Sequence, residues 1–107
     1  MIKKILNSIK GVYKNRFDTL AYRDVLPLAE RGRPDAQYAL AKMYETGNSA
    51  VKQDLINAYV LYAVAAANGM DGASTRMRAI EPMLLAEQYQ EANEIIRRLT
   101  LVKPSSV

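Results

Sequence analysis

The sequence predicts an all-α fold, a short stack of paired helices. Three observations carry that expectation. The stretch 55–67, LINAYVLYAVAAA, holds a single polar residue, Asn57. Punctuation of one kind returns at a fixed interval: Tyr22, Ala29, Gly32 and Ala36 recur as Tyr59, Ala66, Gly69 and Ala73, 37 residues on at every anchor. Glycine and proline are sparse, 5 and 4 in 107 residues, and β-branched residues nowhere alternate with polar ones for long. Fixed self-similarity in this range marks a helical-repeat solenoid, in which each helix pair finds cover for its apolar face only against its neighbours.

Taken in order, residues 1–17 read as a basic amphipathic helix. Ile2, Ile5, Leu6, Ile9, Val12 and Tyr13 form an apolar stripe, with Lys3, Lys4, Lys10 and Lys14 off it. Gly11 weakens that helix by roughly 1 kcal/mol relative to alanine. The segment supports two readings. It caps the fold with its oily side inward, as a terminal repeat requires. Alternatively, it lies on an anionic membrane surface or a partner, with the four lysines as its contacts.

Residues 18–100 make the helical domain proper. The first helix spans Asp18 to Arg31, and Pro27 inside it predicts a kink or break near Arg23 to Leu26. Gly32 closes it, and Asp35 is the candidate N-cap of the next helix, Ala36 to Thr46. There Ala36, Ala39, Leu40, Met43 and Tyr44 face inward, while Gln37, Lys42 and Glu45 point out. Gly47 ends that helix and Asp54 caps the central one. The central helix is apolar on every side, so it needs cover on every side. Its run of about 13 residues is well short of the ~20 that span a bilayer. Gly69 closes it. A fourth helix runs from Ala73 to about Leu84, distorted by Pro82 around Arg78 to Glu81. The last runs from Ala86 to about Thr100 on a stripe of Tyr89, Ala92, Ile95, Ile96 and Leu99, and 101–107 is a frayed tail.

Composition narrows the chemistry. The chain has no cysteine and no histidine, which removes disulfides, thiolate metal sites and the commonest general base. Five of the 15 basic residues fall within Met1 to Arg16, which has no acid; the remainder carries ten basic against eleven acidic residues, a net of −1. A nucleic-acid reader spreads basic residues over its reading face, and this near-neutral body argues against one. Glu87, Glu91 and Glu94 share a helical face, but with Arg97 and Arg98 following they read as a solvated, ion-paired surface rather than metal ligands. Lys10 and Lys14 interrupt any secretion-signal core, so a cytoplasmic location is expected. No cofactor or metal is called for.

The residues also resemble a known family. AQYALAKMYETG (Ala36 to Gly47) followed by VKQDLINAYVLYAVAAANG (Val51 to Gly69) is similar to the Sel-like repeat, the Sel-one branch of the tetratricopeptide-like solenoids. Ala36, Leu40, Met43, Tyr44, Gly47, Gln53, Asp54, Tyr62, Ala65, Ala66 and Gly69 stand where that pattern wants them. Departures are Ala41 where glycine is favoured, a longer loop at Asn48 to Lys52, the two in-helix prolines, and Leu85 at a capping position. The resemblance implies one complete repeat, flanked by half-repeats and capping helices. It also implies a non-enzymatic module that recognises a protein partner as an adaptor, regulator or inhibitor of immunity type. In such solenoids the first helices of successive repeats line a groove, which here would present Tyr38, Lys42, Glu45, Thr75, Arg76 and Arg78. Tyrosine and arginine are residue types that anchor interfaces. A homo-oligomer, in which a second copy covers the all-apolar helix, is the other way to complete the core.

Overall fold

The computed structural model describes residues 22–101. The expected helix over 1–17, its lysines Lys3, Lys4, Lys10 and Lys14, and most of the tail lie outside the described residues. Within them the chain forms five α-helices and no strand. They are α1 (Tyr22–Glu30), α2 (Pro34–Thr46), α3 (Leu55–Ala67), α4 (Ala73–Ile80) and α5 (Ala86–Leu101), with a single 3-10 turn at Glu81–Met83 between α4 and α5.

The first three helices lie antiparallel in succession. The Tyr22 and Tyr44 hydroxyls meet at 2.9 Å, joining the start of α1 to the end of α2. Gln37 at the start of α2 bonds the Ala29 carbonyl near the end of α1. The next pair repeats the arrangement: Asp54 N donates to Tyr44 O where α3 begins, and Asn68 donates to Gln37 where α3 ends.

The 37-residue interval has a hydrogen-bonded counterpart. At the end of α1, Gly32 N donates to Ala29 O and Arg33 N to Leu28 O. At the end of α3, Gly69 N donates to Ala66 O and Met70 N to Ala65 O. Both are Schellman closures, which satisfy carbonyls the helix leaves without partners. Both glycines need a positive φ, 95° and 98°, a region open to glycine and strained for other residues. Burial follows the same interval. Val25 and Tyr62 are buried 37 positions apart, as are Ala36 and Ala73, and Met43 and Ile80.

The core is two clusters with α2 between them. Ala36, Ala39, Leu40 and Met43 face α1, packing with Val25 and Ala29. Ala41 faces the other way, into a cluster with Ala58, Tyr59, Tyr62 and Ala65 of α3, Ala73 and Ile80 of α4, and Ala92 of α5. Leu61 and Tyr44 pack against both. Small side chains at Ala41, Ala58 and Ala65, none of them exposed, let these elements approach closely.

Several expectations are corrected. Helix α1 runs through Pro27 without ending; Pro27 is exposed, and its own carbonyl still accepts from Arg31 N at 3.1 Å. Asp35 is not the cap of α2. Arg33 holds that position and Pro34 opens the helix, because a proline at the first turn gives up an N–H that had no partner anyway. Gln37 does not point out. It is buried because it serves two neighbours, donating to Ala29 O and accepting from Asn68. Helix α4 stops at Ile80, and Pro82 lies in the 3-10 turn rather than in a distorted α-helix. Asp54 caps α3 as expected, accepting from Asn57 N at 3.0 Å. Leu85 offers no capping oxygen before α5, yet Gln88 reaches back to Leu85 N at 2.9 Å, which is half of a capping box.

Candidate functional site

Four of the six expected groove residues come together on one face of α2 and α4. Antiparallel packing of α2 on α3 brings Glu45 over Tyr62, whose hydroxyl donates to Glu45 Oε1 at 2.7 Å. Arg76, projecting from α4, donates to the same oxygen at 2.8 Å and lies over the Tyr62 ring at 5.8 Å from its centre. Tyr38, two turns before Glu45, meets the Tyr62 ring edge-on with centres 5.4 Å apart. Lys42 and Arg76 then line one concavity of about 220 Å3 with Met43, Thr46 and Asn48.

Electrostatics fix this cluster as cationic at its rim. Burial raises the Tyr62 hydroxyl well above its ordinary range, and its bond to the Glu45 carboxylate adds to that. Arg76 is raised further by its bonds to Tyr62 and Glu45, so its charge is permanent. Among the described residues, Arg76 Nε is the buried side-chain nitrogen left without a hydrogen-bond partner. Glu45 is therefore an anchor for Arg76 rather than a free acid aimed at a ligand.

Thr75 and Arg78 are exposed on α4, away from that network. Arg78 instead borders a second concavity of about 540 Å3 with Glu81, Pro82, Leu84, Ala86 and Tyr89. Next to it stand two large apolar side chains, Met83 and Leu85, 60% and 65% exposed. The sequence reading missed this knob, although two leucines and a methionine crowded after Pro82 were a signal for it. It also missed Tyr62 as the residue joining this cluster together, having named it only as a position of the repeat pattern.

Among the described residues no cluster of three or more acidic side chains is placed to hold a metal ion. On α5, Glu94 pairs with Arg97 at 2.6 Å and Arg98 at 3.5 Å, while Glu87 and Glu91 are exposed. No helix among the described residues is long and apolar enough to cross a membrane. Compared with protein-family models, curated proteins and solved structures, the chain has no significant match, which leaves its resemblance to the Sel-like repeat resting on its own residues.

Proposed function

We propose that the chain is a short Sel-like stack of helical hairpins that binds one protein partner, without catalysis, through the face shared by α2 and α4. It acts there as an adaptor, regulator or inhibitor. The recurrence of closures and buried positions at the 37-residue interval supports the repeat reading. The observation that carries the binding reading is the Glu45 anchor. By holding Arg76 across from α4 it sets a permanent cation beside Lys42 at the edge of a concavity. A positioned arginine loses less rotational freedom on binding than a free one, and such residues dominate interface energies. Tyr38 supplies the aromatic neighbour.

The test is capture from the native host with the intact chain, wild type against Lys42→Glu and Tyr38→Ala, each checked for an unchanged melting temperature. Lys52→Glu, in the exposed loop before α3, is the off-face control. The expected result is one protein retained by wild type and the control and lost by both face variants. Retention by all four discards the face.

A further inference from the structure

Asn68 is the one asparagine in the chain that precedes a glycine. That pairing is chemically labile, because a glycine nitrogen has no side chain beside it to hinder attack on the asparagine carboxamide. The structure holds both reacting groups back. Asn68 closes α3 with φ −94° and ψ 12°. At a ψ near zero the Gly69 nitrogen eclipses the Asn68 nitrogen and not Cβ, so an imide ring through Cγ needs rotation about Cα–C. That rotation carries the chain away from the closing bonds of the helix, Gly69 N to Ala66 O at 3.0 Å and Met70 N to Ala65 O at 2.9 Å. The side chain is engaged too, Asn68 Nδ2 donating to Gln37 Oε1 at 3.0 Å. The direction of this bond is forced. Gln37 is buried, and its Nε2 donates to Ala29 O at 3.0 Å, a carbonyl that only accepts. Gln37 therefore meets Asn68 with its oxygen, and Asn68 must answer with a donor.

We propose that Asn68 is a site of spontaneous deamidation, kept latent by the closed end of α3 and by Gln37, and that its conversion unfastens α3 from α2. When the end of α3 opens, the Gly69 nitrogen gives up its proton to solvent and bonds to Asn68 Cγ. The Cγ–Nδ2 bond breaks, and ammonia leaves with a proton taken from solvent. Water then opens the imide at either carbonyl, leaving aspartate or isoaspartate. Water enters, ammonia departs, and nothing is oxidised or reduced. Each product is unsuited to its place. An ionised aspartate only accepts, so it sets a carboxylate against Gln37 Oε1, and the Gln37 amide cannot turn without setting that oxygen against Ala29 O. It also adds an anion at the negative end of the α3 dipole. Isoaspartate lengthens the backbone between 68 and 69 and takes the Gly69 and Met70 bonds out of register. Asn48 is the contrast. It accepts through Oδ1 from Ala50 N and Val51 N, which a carboxylate does equally well. Neither Asn68 nor Gly69 is among the residues assigned to partner binding, so the failure of this inference would leave the α2–α4 reading standing.

The test incubates the full chain at mildly alkaline pH and follows Asn68 by peptide mass spectrometry, as the mass difference between water and ammonia. Conversion should run at least about ten-fold slower in the native chain than in the same chain in guanidinium chloride, because the helix end must open first. Equal rates, or no conversion in the denaturant, would overturn the proposal. Gln37→Ala should speed native conversion about five-fold by freeing the carboxamide, and an unchanged rate would overturn the part given to Gln37. Because Gln37→Ala also removes a buried link between helices, a second comparison leaves that residue intact. Asn68→Asp makes one product directly and should lower the urea midpoint, while Asn48→Asp should leave it at the wild-type value. Equal midpoints for the two variants would mean that conversion does not unfasten α3, and would overturn that half of the proposal.

Discussion

Glu45 Oε1 accepts from both the Tyr62 hydroxyl and Arg76, and the two donors differ in what they lose without it. Arg76 is partly exposed and regains water. Tyr62 is completely buried by area, so its hydroxyl would be left without an acceptor. Removing one partner of a buried pair costs about 1–3 kcal/mol, whereas removing the hydroxyl itself costs about 1 kcal/mol or less. Glu45→Ala should therefore destabilise more than Tyr62→Phe in urea denaturation, and the reverse order would contradict the anchor. The sequence showed Glu45 and Arg76 as groove candidates but not as a pair, because 31 residues separate them and no local spacing encodes that meeting. A second consequence follows from Tyr59. Burial pushes its hydroxyl up to about 12, helped by the charge of Glu81, while an unfolded tyrosine titrates near 10. The folded chain thus holds this proton to higher pH than the unfolded chain. The stabilisation is complete below about pH 10 and is lost as pH rises from about 10 through about 12. Denaturation midpoints should be level from neutral pH to about 9 and fall above about 10, and Tyr59→Phe should shallow that fall.

Among the elements, α2 lies packed between α1 and α3, and its alanines set how close the neighbours come. Ala41 has no exposed area and faces α3 and α4. A leucine there has no void to enter, and overpacking of this kind costs about 1–3 kcal/mol. Ala41→Leu should lower stability by that order, while Ala79→Leu, at an exposed site on α4, should change it by less than about 0.5 kcal/mol. Equal effects at both sites would mean that α2 and α3 are not in tight contact. The five helices among the described residues, the capping by Asp54 and the turns at Gly32 and Gly69 were legible in the sequence because each is a local rule about three or four neighbouring residues. The helix does not break at Pro27 because the cost of proline in a helix is finite and an exposed turn can bear it. Gln37 was misread because a polar residue at an outward-looking position gives no sign that two backbone and side-chain groups from other helices will meet it.

At the scale of the whole molecule the question is whether the two core clusters melt together. In a long repeat array each unit feels only its neighbours, and damage at one end fades along the stack. Here Leu61 and Tyr44 pack against both clusters, and α2 contributes a face to each. Val25, with no exposed area, lies in the α1–α2 cluster, and Ala92 lies across the molecule in the other. Val25→Ala should cost about 2 kcal/mol, and the loss should register equally in amide-exchange protection at Leu40 and at Ala92. If protection falls at Leu40 and holds at Ala92, the clusters open separately, and α1 is then the element free to detach. Equal loss at both makes the described helices one cooperative unit. In that unit, the position of Arg76 on α4 depends on packing as distant as α1, and a substitution far from the α2–α4 face can weaken the binding proposed there without touching it.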